Sequence, residues 1–78
     1  MDSIQLLSDT AGKLGERCRV TVSSGDTYEG VYRGFCESTQ EAPLTLRLAV
    51  SEQEANRIGV PWLRMVGIPY DVIISIQF

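Results

Sequence analysis

Histidine is absent from this 78-residue chain, and cysteine occurs only as Cys18 and Cys36. Without histidine a cysteine nucleophile lacks its usual base, and neither a glycine-rich phosphate loop nor a nucleophile elbow is present. No paired-cysteine motif exists either, so a four-ligand zinc site would have to lean on carboxylates. The nearby acids Glu41, Glu52 and Glu54 are spaced without convergence, and solvated surface is their expected role. These absences set aside catalysis, a metal and a cofactor. A disulfide is not expected: if both cysteines sit on a hairpin turning near Gly25, Cys18 pairs near position 31 and Cys36 lies several residues beyond. Cys36 is read as a small, partly buried residue of a polar loop and not as a reactive thiol.

Long apolar runs are missing too. Nothing approaches the ~20 residues that cross a bilayer, and Met1-Asp2-Ser3 lacks the basic-then-apolar layout of a secretion signal, which leads to the expectation of a cytoplasmic protein with no membrane partner. Positive charge is also scarce: seven basic against ten acidic residues leave a formal net charge of −3. That excludes a protein held to phosphate backbones by bulk charge, although a local patch remains open. Six of the seven cations are arginine, suited to bidentate or stacking contacts.

What is present fits a small β fold. A chain of this length hides about 60% of its unfolded surface and is marginal alone. With disulfides and metals set aside, association between subunits is the remaining support.

Residues 1–14 read as a helix lying as a lid on the fold, with Ile4, Leu7, Ala11 and Leu14 on one stripe, Asp2 or Ser3 as cap, and Gly12 and Gly15 ending it before Glu16. From Arg17 the period becomes two. Cys18, Val20 and Val22 point one way, and Arg17, Arg19 and Thr21 the other. Ser23-Ser24-Gly25-Asp26 is turn chemistry, and a second strand runs from about Thr27 to Phe35 with Val31 and Phe35 pointing inward. Its interior Gly30 and Gly34 predict a sharp bend, the device by which a few short strands close a small barrel. Arg17, Arg19 and Arg33 form a short cationic strip across this hairpin, partly neutralised by Glu16 and Glu29.

Residues 36–43 are polar and end at Pro43, and are read as a loop. Leu44, Leu46, Leu48 and Val50 alternate with Thr45, Arg47 and Ala49 as a third strand. Ser51-Glu52-Gln53-Glu54 has a capping-box arrangement for one or two helical turns to about Ile58, closed by Gly59. Val60 to Ile68 reads as a fourth strand, and Pro69-Tyr70-Asp71 breaks it. Val72 to Phe78 is a fifth strand with Val72, Ile74, Ile76 and Phe78 on one face and Ile73 on the other. A terminal strand this apolar, left at a sheet edge, invites aggregation unless a partner covers it. Ordered strand addition between copies would do so, and Trp62 either fills the barrel or anchors such an interface.

The order of a helix followed by a strongly bent five-stranded antiparallel SH3-like barrel resembles the Sm-like (LSm) family over nearly the whole chain. The resemblance is densest from Gly15 to Phe35, where Gly15-Glu16-Arg17-Cys18-Arg19-Val20, the turn glycine Gly25, the strand glycine Gly30 and Gly34-Phe35 match the family's first motif. Ile68-Pro69-Tyr70-Asp71-Val72-Ile73-Ile74-Ser75-Ile76 is similar to its second. The resemblance implies a homo-oligomeric ring of about five to eight subunits closed by heterologous contacts, with the fourth strand pairing with a neighbour's fifth and single-stranded RNA bound at the pore. The implied interface falls on Trp62, Leu63, Met65, Val72, Ile73 and Ile74.

The departures fall on the binding residues. Cys36 takes the place of the family's loop Asp, Thr39 falls near the stacking place and Gln40 near the Asn place. Ile68-Pro69 stands where an Arg-Gly pair is expected, leaving Arg64 or Tyr70 as substitutes. The candidate RNA-binding set is therefore Thr39, Gln40, Arg64 and Tyr70, with Tyr70 able either to stack on a base or to pack under its own turn. The leading expectation is an RNA-binding Sm-like ring. A structural or protein-interaction ring without RNA is the alternative, and a monomeric peptide-binding SH3-like barrel a third reading.

Overall fold

The computed structural model describes residues 2–36 and 44–78. The order of elements is α1 (Ser3–Thr10), β1 (Arg17–Val22), β2 (Thr27–Cys36), β3 (Thr45–Ala49), α2 (Glu52–Arg57), β4 (Met65–Pro69), a 3-10 turn (Tyr70–Val72) and β5 (Ile73–Gln77). The five strands make one antiparallel sheet in the order β4-β3-β2-β1-β5. Its buried side chains join Leu6 of α1 in one cluster that draws on both edge strands, with Leu6, Val20, Leu46, Leu48 and Ile73 fully enclosed and Ile68 nearly so. The sheet therefore curls around a shared core.

Helix α1 begins where the Asp2 carboxylate accepts the Gln5 N–H at 2.7 Å. It ends at Thr10, four residues earlier than the spacing predicts, because Ala11 takes ψ 126° and Gly12 turns the chain at φ +72°. The buried face is also different. Leu6 and Thr10 face the core, while Ile4, Leu7 and Leu14 are 80%, 49% and 69% exposed. Leu14 lies beyond the helix, so the four-residue step from Leu6 to Thr10 defines the inner face. Thr10 is tolerated there because its hydroxyl donates to the Leu6 carbonyl at 2.8 Å.

In the first hairpin Cys18, Val20 and Val22 face inward as their alternation predicts, and Gly25 at φ +92° supplies the turn. Cys18 lies opposite Gly30. The inward residue near the bend of β2 is Tyr32, at 6% exposure, and Val31 lies on the other face. The pairing explains the difference: Tyr32 opposes Leu48 while Phe35 opposes Leu46, so Arg33 and Gly34 together face Arg47 as a bulge. Gly34, at φ +87°, is the residue that permits it. Gly30 answers a different need, since a Cβ there would lie 2.5 Å from the Ala49 carbonyl oxygen of β3.

A second bulge lies in β5. Ile73 opposes Val22 and Ser75 opposes Thr21, leaving Ile74 as the extra residue. The uniform alternation expected from Val72 to Phe78 is thus broken: Ile73 and Ile76 turn to the core and Ile74 is 54% exposed. The fourth strand is shorter than its apolar run suggests. Residues 60–63 form a turn closed by the Leu63 N–H on the Val60 carbonyl at 2.9 Å, with Pro61 inside it, and the Arg64 guanidinium binds the Pro61 and Leu63 carbonyls, both at 2.8 Å. Between β3 and β4, the Ser51 hydroxyl caps α2 by accepting the Glu54 N–H at 3.1 Å, and Gly59 at φ +86° follows its end.

Candidate assembly edges and nucleic-acid interface

Among the described residues, strands β4 and β5 stand at the two ends of the sheet order, each paired with one neighbouring strand. Their sequences, Met-Val-Gly-Ile-Pro and Ile-Ile-Ser-Ile-Gln, contain no charged residue to discourage pairing with another chain. Exposed apolar side chains flank both. Trp62 and Met65 lie at the β4 edge with 76% and 43% exposure, and Ile74 and Phe78 at the β5 edge with 54% and 41%. Of the sequence-predicted interface residues, Trp62, Met65 and Ile74 are thus on the surface, Leu63 is half-buried, and Val72 packs partly against the core. Ile73 is different. Its side chain is fully enclosed within its own chain. Trp62 is too exposed to be filling the core.

The candidate nucleic-acid residues are divided by the fold. Thr39 and Gln40 lie outside the described residues. The strands that bracket them are placed clearly, since Cys36 opposes Thr45 and Thr45 opposes Pro69. The Tyr70 N–H then donates to the Leu44 carbonyl at 3.0 Å. Cys36, Leu44 and Tyr70 therefore share one end of the sheet. Tyr70 is half-buried and packs against the core cluster. Arg64 precedes β4 while Tyr70 follows it, roughly 20 Å away along an extended strand. The Arg64 guanidinium, moreover, is engaged by the carbonyls of its own turn.

The arginine strip is partly neutralised, as its acidic neighbours suggest. Arg19 Nε donates to Glu29 Oε1 at 2.7 Å across the hairpin. Arg17 borders a cleft of about 560 Å³ between β2 and α2, together with Glu29, Ser51, Gln53, Glu54 and Arg57. The centre of that cleft is a structural tie that the sequence reading missed. Glu54, expected at the surface, is 8% exposed, accepts the Glu29 N–H at 2.6 Å, and receives Arg57 Nε and Nη2 at 2.5 and 2.8 Å. Arg57 Nη2 also donates to the Thr27 carbonyl at 2.6 Å. The Arg57 hydrogen bond, aided by the Glu29 N–H, holds the Glu54 carboxyl below the usual range against the opposing effect of burial. The signal was Ser51-x-x-Glu54 itself: it marked the helix start, but the carboxylate serves β2.

Both cysteines are free; burial pushes the Cys18 thiol up to about 11, and Cys36 is half-buried at the end of β2. Among the described residues no group of acids and cysteines could hold a metal ion, and no helix is long and apolar enough to cross a membrane. Set against protein-family models, curated proteins and solved structures, the chain matches none.

Proposed function

We propose that this protein is a subunit of an Sm-like ring, in which β4 of one copy pairs with β5 of the next, and that the ring binds single-stranded RNA at its pore or face. The observation that carries the reading is the pair of uncharged edge strands, one on each side of the same sheet, each flanked by exposed apolar side chains. Two different edges give a heterologous contact, which closes into a ring when the rotation between copies permits. RNA contact is assigned to the end of the sheet bearing Tyr70, a half-buried aromatic whose stacking on a base would be worth about 1–3 kcal/mol. Gln40, in the preceding segment, is the candidate for reading a base edge.

Molar mass from light scattering, followed by titration with oligouridine and oligoadenosine on the same sample, tests both parts. The expected result is a closed oligomer whose RNA affinity falls with salt and with Tyr70→Ala or Gln40→Ala. A monomer at all concentrations removes the ring and leaves the peptide-binding barrel. One observation favours a ring without RNA: the Arg64 guanidinium is already bound to two carbonyls of its own turn. A ring that ignores RNA even at low salt establishes that second reading.

A further inference from the structure

Trp62 is the only tryptophan of the chain and, at 76% exposure, stands out from the turn that leads into β4. That turn is firmly built. The Leu63 N–H donates to the Val60 carbonyl at 2.9 Å, and the Arg64 guanidinium fastens the carbonyls of Pro61 and Leu63, immediately before and after the tryptophan. An indole held outward by fixed backbone loses little freedom on docking. At the other edge of the sheet Phe78 is partly seated: its ring meets Tyr32 edge to face at 5.8 Å, Lys13 Nζ lies over it 5.7 Å from the centroid, and 41% of the residue is open.

The proposed ring brings these two edges together antiparallel. In an antiparallel ladder the start of β4 meets the end of β5. Met65 and Gly67 lie on the face of Ala49 and Arg47, and Ser75 and Gln77 on that of Thr21 and Arg19; among the registers in which these outward faces coincide, the one that pairs the two strands end to end sets Met65 opposite Gln77 and Gly67 opposite Ser75. Arg64 then falls opposite Phe78, and Trp62, two residues earlier in the turn, comes within the diagonal reach of an aromatic side chain. We infer that Trp62 of one copy docks against Phe78 of a second copy, extending the Tyr32–Phe78 pair into a three-ring cluster that anchors the subunit interface. The occupant is a second copy and not an unrelated partner, because the same sheet supplies both halves: an exposed aromatic at the start of one uncharged edge and a half-open aromatic at the end of the other.

The inference rests on the ring reading but is tested separately from it. Because the tryptophan is unique, its emission reports one site. Over a dilution series followed by light scattering and fluorescence, assembly is expected to shift the emission to the blue and reduce acrylamide quenching, both returning to water-exposed values on dissociation. In a double-mutant cycle on the assembly constant, Trp62→Ala and Phe78→Ala are each expected to weaken association about tenfold or more, with the double variant well short of the product. Circular dichroism identifies any variant that fails to fold, and the unsubstituted protein's emission stands independently of it. An oligomer whose tryptophan stays fully quenchable, or strictly multiplicative effects, overturns the Trp62–Phe78 contact while leaving the ring intact. A protein that never associates removes the ring and this contact together.

Discussion

The Glu54 carboxylate accepts the backbone N–H of Glu29 at 2.6 Å, so that an acid of α2 completes the hydrogen bonding of a strand residue that is itself an acid. Arg57 makes this possible by holding the same carboxylate with two donors while reaching the Thr27 carbonyl. The folded-state pKa of Glu54 lies below its unfolded value. Its contribution is therefore present above the ordinary carboxylate pKa of about 4.3 and is lost as pH falls through the lower folded value. Glu54→Gln is expected to lower stability at pH 7 by about 1–3 kcal/mol in urea denaturation, with the gap to the unsubstituted protein closing in strongly acidic solution. A gap that is independent of pH would contradict the role of the charge.

Gly30 and Gly67 face different neighbours and should respond differently to alanine. At Gly30 the added Cβ meets a main-chain carbonyl oxygen at 2.5 Å, and at Gly67 it meets the Thr45 Cγ2 at 3.0 Å. Backbone cannot step aside as a side chain can. Gly30→Ala is expected to cost about 1–3 kcal/mol in denaturant unfolding, and Gly67→Ala distinctly less.

The helix has one working face. Leu6→Ala should cost about 2–5 kcal/mol and Ile4→Ala within about 0.5 kcal/mol, compared by thermal and urea unfolding. Equal losses at the two positions would mean that the outer stripe also packs.

The thiols separate by burial. In the native protein Cys18, raised to about 11, is expected to resist maleimide at neutral pH and to label only on unfolding, with Cys36 reacting first. Peptide mapping after a short pulse gives the order.

Much of this architecture is legible in the residues. Cys18, Val20 and Val22 alternate cleanly, and Leu46, Leu48 and Val50 do the same, because each strand has one wet and one dry face and no irregularity to interrupt the count. Ser51 and Gly59 bracket α2 by local chemistry that needs no tertiary information. The misreadings have other causes. Val31 reads as inward and Ile74 as sharing a face with Ile76 because the bulges that turn Tyr32 and Ile73 to the core are decided by the partner strand, which a single segment's pattern does not contain. Leu6 does not stand out from the pattern because an eight-residue helix offers too few turns for its stripe to declare itself. Glu54 has the look of a surface acid until its distant acceptor role with Glu29 is seen. At the candidate site, the adjacency of Tyr70 to Leu44 and the separation of Arg64 from Tyr70 follow from sheet register, which no spacing along the chain encodes.

The extra residue in β5 has an unusual genetic corollary. Removing one amino acid from a strand ordinarily inverts everything downstream of the cut. Here excision of Ile74 alone would carry Ile73 directly onto Ser75 and convert the irregular ladder with β1 into a regular one, with Ile73 and Ile76 still inside and Ser75 and Gln77 still outside. Shortening by one codon at this position is thus compatible with the surrounding pattern, whereas the same edit at Ile76 would bring Ser75 or Gln77 opposite Val20, at an inward position.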